Sequence, residues 1–171
     1  MTQPFTITAE FLRELFLYEE ESGLFIRRIS RGNRGLAGQI AGYVAKTGYR
    51  VIGIGPRDGF KMYLAHRLAW LYMTGAFPEN EIDHINGVKD DNRWCNLREA
   101  TRSQNLQNIR CRSSSLSRLK GVQWDRRRKK WASGIFVNKR HLHLGYFTSA
   151  TEAHEAYVHA AKEHFGEFAR G

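Results

Sequence analysis

The stretch EIDHINGVKDDNRWCNLREATRSQNLQN (81–108) decides how this chain is read. Asn86-Gly87 is a tight-turn signal. Glu81–Ile85 and Asn96–Ala100 make the two arms of a loose hairpin around a long loop. Thr101-x-x-Gln104 is a capping-box pattern that opens a helix carrying Asn105. The stretch predicts a strand–loop–strand–helix unit with Asp83-His84 on its first arm. Neighbouring residues on a regular strand point to opposite faces. Asp83 and His84 can therefore share one site only if the strand kinks or one side chain reaches round its end, and such an irregularity is expected.

These residue types suit phosphodiester hydrolysis. An attacking water needs a general base that titrates near neutrality, and His84 is the natural candidate. The phosphate and the leaving 3′-oxygen need a hard cation to offset their charge. The Asp83 carboxylate and the Asn105 amide are hard oxygen donors, suited to one Mg2+ or Mn2+ ion rather than zinc. Asn86 reads as a turn residue, and Asn92 and Asn96 as capping residues of the loop. His66 either packs at the start of a helix or has a secondary role near this site.

Composition frames the segment. The chain has 171 residues, 27 Lys+Arg and 17 Asp+Glu, for a formal net charge of +10. That length suits one domain or two small ones, and the charge points to an anionic partner, nucleic acid before membrane. No apolar run approaches the roughly 20 residues of a membrane span. MTQPFTITAE lacks a signal-peptide layout, and the two cysteines, Cys95 and Cys111, suit the reduced thiols of a cytoplasmic protein, which is the location expected. Cys95 and Cys111 are too few for a four-ligand zinc cage and read as reduced thiols. The charge is uneven: residues 1–80 carry net +3, residues 81–110 net zero and residues 111–171 net +7. The chemistry-bearing stretch is thus the neutral one.

Upstream, Phe11, Leu12, Leu15 and Phe16 recur at helical spacing behind Thr8 as N-cap, and Ser22-Gly23 ends that element before a short strand at Leu24–Ile26. SRGNRGLAGQIAG (30–42) reads as a mobile loop. GYRVIGI (48–54) and KMYLA (61–65) pair across PRDG, and a helix follows from Ala65 to Thr74, with Gly75 as its C-cap. Downstream, CRSSSLSR (111–118) is a polar linker. Beyond it, KGVQWD (120–125), KWASGIFV (130–137) and HLHLGYF (141–147) read as three strands, followed by a helix capped by Ser149-x-x-Glu152. Ala153, Ala156, Tyr157, Ala160 and His164 mark its packing face, which covers Trp131, Ile135 and Val137. The opposite sheet face gathers Lys120, Gln123, Arg127, Lys130, His141 and His143, with the basic turns Arg126, Arg127, Arg128, Lys129 and Lys139, Arg140 at its edges, fit to track phosphates or enter a major groove. Trp124 is the one exposed candidate for base stacking, since Trp131 is assigned to the core.

The spacing of His84, Asn96 and Asn105 resembles the HNH nuclease motif. The string DHINGVKDDNRWCNLREATRSQN, preceded by HRLAWLYMTGAFPEN (66–80) and GYRVIGI, resembles phage-type HNH homing endonucleases. That resemblance implies an α+β fold: a ββα-metal (His-Me finger) nuclease with a small N-terminal α/β segment. It implies that Asp83 and Asn105 bind one divalent metal, that His84 activates water and that Asn96 holds the loop so that His84 stays oriented. Products would carry a 5′-phosphate and a 3′-hydroxyl. The downstream string, with its GV, KW, LG-x-F and EA-x-x-AY features, resembles the plant ethylene-response-factor (Apetala-type) DNA-binding domain, a three-stranded antiparallel sheet with one packed helix. Its DNA-facing positions fall on Lys120, Gln123, Asp125, Arg127, Lys130, Gly134, Phe136, His141 and His143, of which Gln123, Asp125, Arg127, Gly134, Phe136 and His143 depart from the plant arginine and tryptophan pattern.

The expectation is a metal-dependent endonuclease acting on double-stranded DNA in the cytoplasm, that of a bacterial host cell if the chain is phage-encoded. Residues 1–110 would be the nuclease part, 111–118 the linker and 119–171 the anchor. No small-molecule cofactor and no membrane are expected. Nothing announces a dimer, so a monomer is expected. The competing class is a non-catalytic DNA-binding regulator with a decayed nuclease segment, and a third is an RNA or single-strand binder.

Overall fold

The computed structural model describes residues 6–31, 35–56, 59–108 and 116–169. Its contacts divide it into two compact units, residues 1–101 and residues 102–171. Most of the expected 111–118 linker, with Cys111, lies outside the described residues, as do parts of the 30–42 loop. Among the described residues no helix is long and apolar enough to cross a membrane.

In the first unit, α1 (Ala9–Leu15) is capped by Thr8, whose hydroxyl accepts from the Phe11 N–H. The helix stops one residue earlier than its apolar spacing suggests. Phe16 opens β1 (Phe16–Glu19), which pairs antiparallel with β2 (Leu24–Arg27). The alternation Phe16, Tyr18 inward and Leu17, Glu19 outward has the strand period, and the local pattern hides it because it abuts the helical one. The Gly/Arg-rich segment is not loose where it is described. The Arg27 N–H donates to the Gln39 carbonyl and the Ala41 N–H to the Phe25 carbonyl, and Ala41 is fully buried.

A second sheet joins β3 (Tyr43–Val44), β4 (Arg50–Ile54) and β5 (Lys61–Leu64), with Val51 opposite Leu64 and Ile54 opposite Lys61, as the hairpin reading requires. β5 runs directly into α2 (Ala65–Thr74), which ends on Gly75 at φ 85°. Leu12, Phe25, Ile52, Ile54 and Leu68 form the dry centre of this unit. Each such side chain contributes about 1.5–3 kcal/mol on burial. α2 also buries His66, whose Nδ1 has no hydrogen-bond partner among the described residues.

The decisive stretch forms β6 (Glu81–His84) and β7 (Leu97–Ala100), joined by a loop that ends in a single 3-10 turn, Trp94–Asn96. Pairing is regular from Glu81 opposite Ala100 to His84 opposite Leu97. The irregularity expected at Asp83-His84 is therefore not in the ladder. His84 is instead the last paired residue, and the turn begins at Ile85. Ile82 and Leu97 anchor the hairpin in the core. Asp83 faces Arg98 across the hairpin, its Oδ2 accepting from the guanidinium at 2.8 and 2.9 Å, and both side chains are largely buried.

In the second unit, α3 (Arg102–Gln107) is followed by β8 (Val122–Asp125), β9 (Lys130–Val137) and β10 (Arg140–Phe147) in an antiparallel sheet with β9 at its centre. Asn138 and Lys139, at φ 50° and 64°, make the two-residue turn between β9 and β10. α4 (Ala150–Phe165) carries the expected capping box of Ser149 and Glu152. Its buried face is Ala153, Tyr157, Ala160 and Ala161, against Ile135, Val137 and Leu144. His164, expected on that face, is exposed. Trp131 is half-buried and packs edge-on against its cross-strand partner Trp124, with ring centroids 4.9 Å apart. Neither tryptophan is the exposed stacking platform or the core anchor that alternation alone suggests.

Burial pushes the His66 imidazole down to about 3, with the neighbouring His84 and Arg67 adding to the effect. The unfolded chain therefore binds a proton below about pH 6.5 that the folded chain does not. Stability should be full above that pH and fall as the pH drops toward 3, steepening toward about 1.4 kcal/mol per pH unit from this residue. Urea unfolding of a His66→Phe variant should lack that component, and an unchanged acid slope would refute it. Arg98→Leu, measured in EDTA, should cost about 3–5 kcal/mol because it removes the guanidinium that faces the buried Asp83 carboxylate. A loss under about 1 kcal/mol would show that other groups compensate it.

Candidate active site

The loop between β6 and β7 is held by its own amides. Its base is closed by the Ile85 N–H donating to the Asn96 carbonyl at 2.9 Å, and the Gly87 N–H donates to the His84 carbonyl at 2.7 Å. Asn86 bends the chain, its Oδ1 accepting from the Val88 N–H at 2.8 Å. Asn96, buried at the loop's far end, ties the two arms together. Its Oδ1 accepts from the Asn86 N–H at 3.0 Å, while its Nδ2 donates to Asn86 Oδ1 at 3.1 Å and to the Asp91 carbonyl at 2.7 Å. Asn96 is therefore a structural tie of the loop.

The loop's charges are paired outward. Arg50 of β4 grips both oxygens of Asp90, at 3.1 and 3.3 Å. Arg93, with help from the Asn86 amide, holds the Asp91 carboxyl down to about 2. Lys89 donates to the Thr47 carbonyl and stands over the Tyr49 ring. Asp83, Asp90 and Asp91 of the neutral stretch are thus held in ion pairs with Arg98, Arg50 and Arg93 that brace the hairpin and its loop.

His84 sits inside this frame and is 4 % exposed. Its Nε2 lies 3.1 Å from Asn92 Oδ1, its ring meets the His66 ring edge-on at 4.9 Å, and Tyr49 stands 6.0 Å away. Burial lowers its proton affinity, while the Asn92 hydrogen bond and the charges of Asp83, Asp91 and Asp90 act the other way. The net direction is downward, which keeps the ring neutral and able to accept a proton at pH 7.

The structure thus brings Asp83, His84 and Asn96 together at one end of the β6–β7 hairpin. Asn105 is on α3, which belongs to the second unit. Two partners escape the sequence reading: Asn92, which faces His84, and Arg98, which holds Asp83. Arg98 is recoverable from hairpin pairing once the register is known. Asn92 has no such signal, because its contact depends on how the loop folds back.

The donor types fit a hard cation. Asp83 offers a carboxylate oxygen, the donor type such a cation takes, and among the described residues no three His, Cys, Asp or Glu side chains converge to hold a metal ion.

In the second unit, the open sheet face forms a shallow concavity of about 260 Å³ lined by Gln123, Ala132, Gly134, Phe136, His141 and His143 among others. His141 lies against Phe136 and His143 against Tyr146. Arg126, Arg127, Arg128, Lys129 and Lys130 are exposed at one turn, and Lys139 and Arg140 at the other. Asp125 is committed to the first turn, accepting from the Arg127 and Arg128 N–H groups at 2.9 Å, and Arg128 also pairs with it while lying over the Tyr146 ring. Lys120 is half-buried and donates to the Gln107 carbonyl.

The chain is 31% identical over 77 residues to Protein 3.8 of Escherichia phage T7, a stretch that covers 44% of this chain and 64% of that protein, less than two thirds of its length. A solved structure, "DNA binding and cleavage by the HNH homing endonuclease I-HmuI", aligns with a TM-score of 0.41 and 28% identity over 52% of this chain and 48% of its own. Residues 63–107, the segment that runs from β5 through α3 and contains Asp83, His84, Asn96 and Asn105, match the model of the HNH endonuclease family.

Proposed function

We propose that this chain is a metal-dependent HNH endonuclease of homing type that hydrolyses phosphodiester bonds in double-stranded DNA, leaving 5′-phosphate and 3′-hydroxyl ends. The observation that carries the reading is a buried histidine at the end of β6, beside a carboxylate and braced by loop amides, inside the segment that matches the HNH endonuclease model.

In this reading His84 accepts the proton of the attacking water. Asn96 and Asn86 keep the loop from shifting as that proton moves. Asp83 would hold one Mg2+ or Mn2+ ion with the Asn105 amide oxygen, a pairing that rests on the motif. Such an ion, when bound, offsets charge on the phosphate and the leaving 3′-oxygen. Arg98 opposes the Asp83 carboxylate across the hairpin and limits its movement.

The second unit is read as an anchor on duplex DNA of ethylene-response-factor-like type. Its exposed turns, Arg126, Arg127, Lys129, Lys130, Lys139 and Arg140, would contact phosphates, while Gln123, His141 and His143 face outward from the sheet between them. Phosphate contacts of this kind fix register on the duplex, and base edges supply the sequence preference.

Purified protein should cut plasmid DNA with Mg2+ and stop in EDTA. His84→Ala should lose roughly 10²–10⁴-fold in rate, the worth of a positioned general base. Cleavage that survives either treatment would sink the mechanism, and DNA binding without cleavage by the unaltered chain would favour a non-catalytic regulator. For the anchor, replacing Arg126, Arg127, Lys129 and Lys130 with Gln should flatten the dependence of log K on log salt by about 0.9 for each phosphate that is no longer neutralised. An unchanged slope would remove that turn from the DNA interface.

A further inference from the structure

The proton arrangement on His84 is set from a part of the chain far away in sequence. A neutral imidazole carries one N–H and one lone pair, and the group bonded to one nitrogen decides which nitrogen can act as base. Here that group is the Asn92 carboxamide, which is 1% exposed. Its orientation is fixed internally, because Nδ2 donates to the Asp90 carbonyl at 3.2 Å and so turns Oδ1 toward His84. An amide oxygen only accepts. The hydrogen therefore sits on His84 Nε2, and Nδ1 keeps the lone pair.

Asn92 is in turn clamped by the β1–β2 hairpin. The Tyr18 hydroxyl donates to the Asn92 carbonyl at 2.6 Å, across 74 residues of sequence. Tyr18 is itself buried, its ring against Phe25 and Tyr72 at 4.9 and 5.7 Å. Burial raises its phenol, with nearby acidic groups adding to the effect, so it remains a donor. The Trp94 N–H donates to the Glu20 carbonyl at 2.9 Å. Gly23, at φ 73°, closes the contact: a Cβ there would lie 2.3 Å from the Asn92 carbonyl carbon, so no other residue allows the approach.

Resting on the nuclease reading of His84, we propose that Asn92 and Tyr18 are positioning residues that hold His84 with its hydrogen on Nε2 and present Nδ1 as the base. Neither touches the reacting atoms. Tyr18 acts through Asn92, and Asn92 acts through the imidazole. The N-terminal hairpin is then part of the catalytic apparatus rather than only a packing element.

The test is made on the full chain with ring-¹⁵N-labelled histidine at pH 8, with the His84 signals assigned by their loss in His84→Ala. The unaltered chain should show the Nε2–H tautomer. Asn92→Leu, which keeps the side chain's volume and removes the acceptor, should lose that preference. Its kcat for DNA cleavage should fall roughly 10–100-fold, with KM within about twofold, as for other residues that orient a ligand from behind. Asn92→Asp keeps an acceptor oxygen and should restore the tautomer and part of the rate. Tyr18→Phe keeps the ring packing and should weaken the preference and lower kcat by a smaller factor without changing KM. An Nδ1–H tautomer in the unaltered chain would overturn the proposal, as would an unchanged tautomer and rate in both Asn92→Leu and Tyr18→Phe. Failure of the nuclease reading is separable: a chain that cuts no DNA still reports its tautomer.

Discussion

The first unit turns on one hydrogen bond, from His84 Nε2 to Asn92 Oδ1. A buried imidazole without a partner for its N–H bears the desolvation of that group, on the order of 1–3 kcal/mol, and is free to rotate and exchange tautomers. Supplying the partner requires a loop residue to be held inside the protein, and that requirement propagates. The loop between β6 and β7 must be rigid, so Asn86 and Asn96 are tied to each other and to the backbone. Its acidic side chains must not compete for the site, so Arg50 and Arg93 pair with them from outside. Its outer wall must be firm, so the β1–β2 hairpin presses on it through Gly23 and Tyr18.

The same logic explains the division of charge. Residues 81–110 are neutral overall, yet they carry five cations and five anions. Most of the anions near the loop are committed to guanidinium partners, so neutrality here reflects construction rather than a lack of charge. In the second unit the basic side chains of the two sheet turns are mostly left to solvent. Exposed cations at turns adapt to a phosphate backbone, whereas the buried Asp83–Arg98 pair is fixed in place at both ends. One segment uses charge for rigidity, and the other presents it outward.

Much of the architecture was legible because it is local. Thr8, Gly75 and the Ser149–Glu152 capping box mark helix ends through bonds made within four residues. The strands that flank PRDG and those of the second unit fall where β-branched and aromatic residues cluster. Where two local patterns abut, the local signal misleads. Phe16 continues the helical spacing of Leu12 and Leu15 yet begins β1, where it pairs with Arg27 instead of adding one more residue to the helix. Trp124 and Trp131 alternate as an exposed and a buried residue would, but each covers the other across the strands.

By itself the sequence determined the residue types at the site, their spacing along the chain and the hairpin that carries Asp83 and His84. These depend on side-chain chemistry and short-range backbone preference, which travel with the string of letters. Only the tertiary structure decided that Asp83 is held by Arg98 and that Asn92 faces His84 with Tyr18 behind it. A buried amide has no preferred partner until the chain around it is packed. Its choice among nearby donors and acceptors is made by burial, and burial belongs to the whole unit rather than to any stretch of sequence.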